Sequence, residues 1–323
     1  MNRDKEIASM LPSEQEFDHL RFDPTQGTVI RDPPGLGYGY WAGGHKISFD
    51  ERTNAFVLFY RERTPLEKGR GGRCALATSS DGVEFEDVWT ATKEDFASSS
   101  IEVGHCVRGF DGRWKLFISY EVEGARYWRI DLLEADELRA MESQSRRTVI
   151  QPQAFGQRSL KDPVVYVQDD YYSMLIAGGS TNAPRQEGDT IHVGGGDATF
   201  LATSSDGKYF TSIRRVFEPP NSDTWHGRRA RINSIIKEKD GWLAFYDGGR
   251  NFYDTYEEWC GLAWSPDGLD FERLDQEQPW VQSPFGCVRY VYAHDAGERV
   301  FFYYEYTRQD GSHDLRVSIV NRR

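Results

Sequence analysis

The sequence predicts an all-β fold, a five-bladed β-propeller around a central funnel. Three observations lead there: a turn motif that recurs at a fixed interval, a strand–turn–strand unit that occurs five times, and an aromatic content of 14%. Phe, Tyr and Trp suit pleated, half-buried strands. The turn motif reads Ser79-Ser80-Asp81-Gly82-x-x-Phe85, Ser204-Ser205-Asp206-Gly207-x-x-Phe210 and Ser265-Pro266-Asp267-Gly268-x-x-Phe271. Asp81 and Asp206 lie 125 residues apart, and Asp206 and Asp267 lie 61 apart, so one degenerate copy is expected in between. Each Asp-Gly signals a hairpin, with glycine taking the positive φ that other residues resist.

The larger unit pairs a strand with an aromatic-rich partner across a polar turn. Its first copy runs from Lys46-Ile47-Ser48 to Phe56-Val57-Leu58-Phe59-Tyr60, and its second from Cys106-Val107 through Asp111-Gly112 to Trp114–Ile118. The third joins Val164-Val165-Tyr166 to Tyr171–Leu175, the fourth Ser234-Ile235-Ile236 to Trp242–Tyr246, and the fifth Tyr290-Val291-Tyr292 to Val300-Phe301-Phe302. Five units of about sixty residues and four strands use nearly the whole 323-residue chain as one domain. Their expected bounds are 36–92, 100–150, 158–218, 228–280 and 284–323. The fifth ends at Val317-Ser318-Ile319-Val320 with too little chain for a fourth strand, so residues 12–32, around Phe17 to Phe22, are expected to close the ring. Helix signals are short, at Leu11–His19 and Ala135–Glu142. Gly178–Asp197 reads as an insertion loop; its Gly194-Gly195-Gly196 lacks the strand-then-helix context of a phosphate loop.

Lys and Arg number 39 against 51 Asp and Glu, a net charge of −12, and no run of five or more basic residues occurs. Nucleic acid is therefore an unlikely partner. The longest apolar runs are strand-sized, short of the ~20 residues a bilayer-spanning helix needs, so no membrane partner is expected. The charged start, Met1-Asn2-Arg3-Asp4-Lys5-Glu6, points to the cytoplasm. Cys74, Cys106, Cys260 and Cys287 read as reduced core thiols, and no Cys-x-x-Cys or His-x-x-x-His spacing suggests a metal. No cofactor is expected, and the oligomeric state stays open.

In a propeller the first strand of each blade lines the central channel. Counting back from each turn and keeping to alternate residues puts Trp41, Glu102, Asp162, Arg231 with Asn233, and Cys287 or Arg289 at its entrance. His45 and His105 fall near the same rim. Charges where strands enter a core cost several kcal/mol unless they have partners or a purpose. Two readings remain: ion pairs that tie blades together, or a ligand site. Trp225-His226-Gly227-Arg228-Arg229-Ala230-Arg231 places further arginines there, suited to a carboxylate, sulfate or phosphate.

Lys161-Asp162-Pro163-Val164-Val165-Tyr166 resembles the Asp-Pro-x-hydrophobic motif of the five-bladed propeller glycoside hydrolases: the arabinanase/xylosidase and invertase/levansucrase families and, more distantly, the β-mannoside phosphorylases. Arg31-Asp32-Pro33 resembles their first-blade motif, and the three hairpins are similar to theirs. The resemblance implies Asp32 as base or nucleophile and Asp162 as the orienting group. Where those enzymes carry Glu-Gly-Pro in blade four, this chain has Ala230-Arg231-Ile232-Asn233, so the acid must come from elsewhere. Glu102 is the first choice and Glu258 the second. The expected activity is hydrolysis of a glycosidic bond in a small saccharide or glycoconjugate, neutral or anionic. A phosphate-dependent phosphorylase and a non-catalytic carbohydrate-binding propeller remain alternatives. Trp41, Tyr38 and Tyr40 would stack on the sugar, with His45, His105, Arg228, Arg231, Asn233 and Arg289 holding it.

Overall fold

The structure, a computed structural model, describes residues 11–125, 127–168, 170–179, 198–250 and 258–322. Its strands form five successive antiparallel meanders. A strand β1 (Thr28–Arg31) precedes the first, which consists of β2 (Trp41–Asp50), β3 (Ala55–Arg63), β4 (Gly71–Ser79) and β5 (Glu86–Thr92). The second holds β6 (Ser98–Arg108), β7 (Trp114–Val122), β8 (Trp128–Ala135) and β9 (Arg147–Ile150). The third holds β10 (Leu160–Val167), β11 (Tyr172–Gly178), β12 (Ala198–Ser204) and β13 (Ile213–Phe217). The fourth holds β14 (Arg229–Glu238), β15 (Gly241–Gly249), β16 (Glu258–Ser265) and β17 (Glu272–Arg273). The fifth has β18 (Val288–Asp295), β19 (Arg299–Thr307) and β20 (His313–Asn321).

Strand alternation divides the core into layers between meanders. In β7, Leu116 and Ile118 face Val57, Phe59 and Leu76 of the first meander, whereas Phe117 between them faces Met174 and Ile176 of the third. In β15, Leu243 and Phe245 pack with Val291 and Phe302 of the fifth meander, and Ala244 and Tyr246 face the other way. Both faces of these second strands are buried, which is why they read as unbroken apolar runs.

The first and fifth meanders meet through one parallel pair, Trp41 with His313. β1 completes the closure by pairing antiparallel with β20, Thr28 opposite Val317. The closing strand is thus Thr28–Arg31, not the segment around Phe17 to Phe22. That segment forms a 3-10 turn, Glu14–Leu20, and buries Phe17, Leu20 and Phe22 with Trp264, Trp280, Phe302 and Tyr304. The β-branched Thr28-Val29-Ile30 suits an extended edge better. The second helix signal yields only the turn Leu138–Ala140. Among the described residues no helix is long and apolar enough to cross a membrane. The insertion expected at Gly178–Asp197 lies, beyond Gly179, outside the described residues.

The recurring motif forms one turn three times. Ser79, Ser204 and Ser265 each direct Oγ at the following Asp and accept the glycine N–H at 2.9, 3.0 and 2.9 Å. The turns link third to fourth strands in the first, third and fourth meanders. In the second meander that position holds the turns Leu138–Ala140 and Ser143–Ser145, the degenerate copy. Asp206 Oδ1 accepts from Lys208 N at 2.8 Å, Tyr209 N at 3.0 Å and Ser204 Oγ at 2.9 Å. Burial is the largest single influence and opposes ionisation, but these bonds together outweigh it and hold the carboxyl below its ordinary pKa. Asp206→Ala is expected to destabilise by about 1 kcal/mol in urea unfolding at pH 7. The difference shrinks as pH falls through the depressed folded-state pKa, because only the ionised form gains from these bonds.

Candidate active site

Every first strand interrupts its ladder at the same level. The breaks fall between Gly43 and Lys46, Ile101 and Gly104, Lys161 and Val164, Ile232 and Ser234, and Arg289 and Tyr292. At three of them a residue takes a left-handed backbone: Gly44 (φ 56°), Asp162 (φ 56°) and Tyr290 (φ 53°). For Asp162 and Tyr290 this costs of order 1–3 kcal/mol and needs support from its surroundings. The support has one design. Each bulge N–H donates to a side chain from the second strand of the preceding meander: Gly44 to Glu305 Oε1 at 2.7 Å, Asp162 to Ser119 Oγ at 3.1 Å, and Tyr290 to Asp247 Oδ1 at 2.9 Å. Gly43 is required here, since a Cβ would stand 2.1 Å from Glu305 Cγ.

Bulges re-aim side chains, and these aim charges at one another. Arg231 Nη1 meets Asp162 Oδ2 at 3.0 Å, while Nη2 meets Asp247 Oδ2 at 2.6 Å and Glu258 Oε2 at 2.8 Å. Three carboxylates from three strands therefore share one guanidinium. Glu258 also binds Arg229 and, at 2.9 Å, Arg289 Nη1. Arg289 Nε reaches Glu305 Oε2 at 2.6 Å, and His313 Nδ1 lies 3.3 Å from the same oxygen. On the other side Glu102 faces Arg61 at 3.3 Å, Arg70 at 3.4 Å and Lys161 at 3.8 Å. Trp41 lies between Arg63 and Arg289, at 4.1 and 4.3 Å from its ring, and stacks on His313.

The carboxyls divide by their surroundings. Burial opposes ionisation of Glu258, but Arg231, Arg229 and Arg289 outweigh it and hold the group well below the usual range. Glu102 is kept ionised against burial by Arg61, Lys161, Arg70 and Arg63, and Glu305 by Arg289 and His313. Asp247 goes the other way. Burial, reinforced by the charge of Glu258, raises its pKa although Arg231 opposes. Two groups with opposed shifts thus lie on one arginine, the arrangement that separates an acid from its ionised partner. Lys46, fully buried over Tyr290 and Tyr292, is brought by burial to about 7.

Of the residues singled out from sequence, Trp41, Glu102, Asp162, Glu258, Arg231 and Arg289 come together here. Asn233 is buried beside them, its Nδ2 3.4 Å from Arg231 O. His45 is enclosed next to Lys46 and brought by burial to about 3. His105 is a staple between strands: Nδ1 accepts from Val165 N at 2.8 Å and Nε2 donates to Ile47 O at 3.1 Å, with burial again lowering it to about 3. It faces a separate cavity of about 570 Å³ lined by Tyr166, Trp242, Tyr292 and His294. Arg228 lies outside the cluster near Asp223, 3.4 Å away. Asp32 is 80% exposed on the surface, paired with Arg308. Tyr38 is exposed, and Tyr40 carries Lys68 over its ring. Sequence reasoning missed Asp247, Glu305, Arg61, Arg63, Lys46 and His313. Asp247 and Glu305 had a signal: each directly follows two aromatics of a second strand, Phe245-Tyr246 and Tyr303-Tyr304, as Arg61 follows Phe59-Tyr60. Among the described residues no group of three or more His, Cys, Asp or Glu is placed to hold a metal.

No protein-family model matches the chain, and no curated protein matches it in sequence. Solved structures share its fold over almost the full length of both chains. The β-1,2-mannobiose phosphorylase of Listeria innocua, in complex with β-1,2-mannobiose, is 14% identical, covers 95% of each chain and gives a TM-score of 0.60. A thermostable family-43 glycoside hydrolase is 12% identical over 90% of this chain and 91% of its own, with a TM-score of 0.63. A candidate glycoside hydrolase from Parabacteroides distasonis is 15% identical over 94% and 97%, with a TM-score of 0.60. The likeness reaches the group that the Asp-Pro motifs resemble.

Arg231→Met would leave Asp162, Asp247 and Glu258 without their common cation. It is expected to cost about 3–5 kcal/mol in denaturant unfolding at pH 7. The deficit narrows as pH falls, because Asp247, already raised by burial and left without its arginine, then binds a proton in the folded state, while Glu258 keeps Arg229 and Arg289.

Proposed function

We propose that the chain is a glycoside hydrolase acting on a small saccharide, and that the five meanders are the blades of a five-bladed propeller. The observation that carries this reading is the convergence of Asp162, Asp247 and Glu258 on Arg231, with one carboxyl held toward its protonated form. Glycosidic cleavage needs one carboxylic acid and one carboxylate. Asp247 gives its proton to the leaving oxygen, in place of Glu102 or Glu258, which their arginines keep ionised. Asp162 is the base or nucleophile, a role that the exposed Asp32 is less suited to fill. Its Oδ2 is fixed by Arg231, and its Oδ1 is buried without a hydrogen-bond partner, free to take a proton from water or to meet the anomeric carbon. Glu258 raises the Asp247 pKa by its charge, and Trp41 offers an aromatic edge for the sugar. The four cysteines, all buried and free, accord with a reducing cytoplasm.

Phosphorolysis is the second reading, favoured by the cations gathered around Glu102 and by the phosphorylase among the similar structures. A strict requirement for inorganic phosphate would select it.

Asp162→Asn is expected to lower kcat by at least ~10³ on every glycoside. Asp247→Asn should lower it by ~10²–10⁴ on a disaccharide, yet leave most of the rate on a dinitrophenyl glycoside, whose leaving group needs no proton. The wild-type rate on the disaccharide should fall as pH rises through the Asp247 pKa, since the protonated form is the active one. Equal losses on both substrates would remove Asp247 as the acid. Wild-type rates in both variants would overturn the reading.

A further inference from the structure

The charges of the site are unevenly divided. Around Arg231 the two signs are near balance: three arginines, at 229, 231 and 289, with Lys46 and His313, face four carboxylates, Asp162, Asp247, Glu258 and Glu305. Toward the first and second meanders cations prevail: Arg61, Arg63, Arg70 and Lys161 surround Glu102, with Glu121 binding Arg70 at 2.8 Å. The contacts to Glu102 are loose, 3.3 to 3.8 Å, against 2.6 to 3.0 Å around Arg231. One carboxylate is spread over several donors and saturates none of them.

Two further donors at this end lack an acceptor. Arg70 Nε and the indole Nε1 of Trp128 are buried without a hydrogen-bond partner, and Arg70 and Lys161 both stand over the Trp128 ring, at 5.9 and 5.2 Å. Unmet buried donors are unfavourable until an acceptor arrives. This is also the more open end: Arg70 and Lys161 are 27% and 14% exposed, whereas the groups around Arg231 are at most 4%.

From this donor surplus we infer that the saccharide carries a carboxylate or sulfate of its own, received by Arg61, Arg63, Arg70 and Lys161 beside Trp128. The inference rests on the hydrolase reading for the bond cleaved, and deepens it by naming an acidic sugar as the substrate class. A monoanion fits better than a free phosphate dianion because Glu102, ionised in the midst of the cations, repels the second charge. The site is then bipolar: one end grips the acid group, and the other holds the scissile bond.

Calorimetric titration of the full chain with glucuronate, galacturonate, glucose, galactose and inorganic phosphate tests this, with Arg70→Gln and Lys161→Gln as variants and melting temperature as the control for folding. The expected result is uronate binding at least tenfold tighter than the neutral sugar, weakened about tenfold by either substitution and by added salt. Neutral sugars binding as tightly, uronate binding indifferent to both substitutions, or binding of phosphate but of no uronate would each overturn the inference. The readout does not need turnover. A chain that binds uronates but cleaves no glycoside keeps the acid site and loses the hydrolase reading, and one that cleaves only neutral glycosides does the reverse.

Discussion

The rest of the structure depends on a single backbone donor, used again and again: the N–H of a bulged residue, captured by a side chain of the meander before it. Gly44, Asp162 and Tyr290 turn left-handed at the same level of their strands, and Glu305, Ser119 and Asp247 hold their amides. The second meander varies the device: Arg61 donates to Ile101 O at 3.0 Å and faces Glu102. In the fourth, Thr199 Oγ1 accepts from Ile232 N at 2.9 Å and donates to Ala230 O. A first strand has no partner on its inner edge, so these amides would otherwise lie buried and unpaired. The same bond meets that demand, fixes neighbouring meanders in register and turns Asp162 toward Arg231.

Of the two readings left open by the sequence, the ion pairs are seen directly, and the proposed ligand site would use the same groups. Arg61–Glu102, Lys161–Glu102, Arg231–Asp162 and Arg289–Glu258 each cross from one meander to the next. So many charges away from water would be a net burden if any were isolated. They are tolerated because every carboxylate has at least one arginine, while the apolar layers between meanders supply the bulk of the stability. The imbalance is local: cations prevail near Glu102, while the two signs are near balance around Arg231.

Much of the architecture was legible because it is repeated. Three Ser-x-Asp-Gly turns and five aromatic runs set the interval, and counting back along first strands reached Glu102, Asp162 and Arg231. The same counting could not reach Asp247 or Glu305, which lie two residues before the ends of second strands and were absorbed into apolar runs as their polar margin. Only the pairing of Asp247 with Arg231 and of Glu305 with Arg289 across the ladder brings them to the centre. Asp32 shows the opposite limit: its motif resemblance carried no information on exposure, and its side chain stands 80% exposed beside Arg308. The closing strand was misplaced because Phe17 and Phe22 look strand-like, and their burial between the fourth and fifth meanders depends on Trp264 and Trp280, far along the chain.

The bond from Gly44 N to Glu305 spans 261 residues. It makes completion of the charge cluster and the meeting of the first and fifth meanders one event in time. Local meanders can form as the chain emerges from the ribosome, but joining ends so distant in sequence carries a loop-closure penalty that no local contact offsets, and such long-range pairings form late. Until β19 arrives, Gly44 has no captor, Arg289 lacks its second carboxylate, and the shared arginine network stays open on one side. A nascent or truncated chain would therefore hold most of its secondary structure and none of its chemistry. A ligand of the proposed site, which needs both meanders in place, would in turn hold the last-formed seam together.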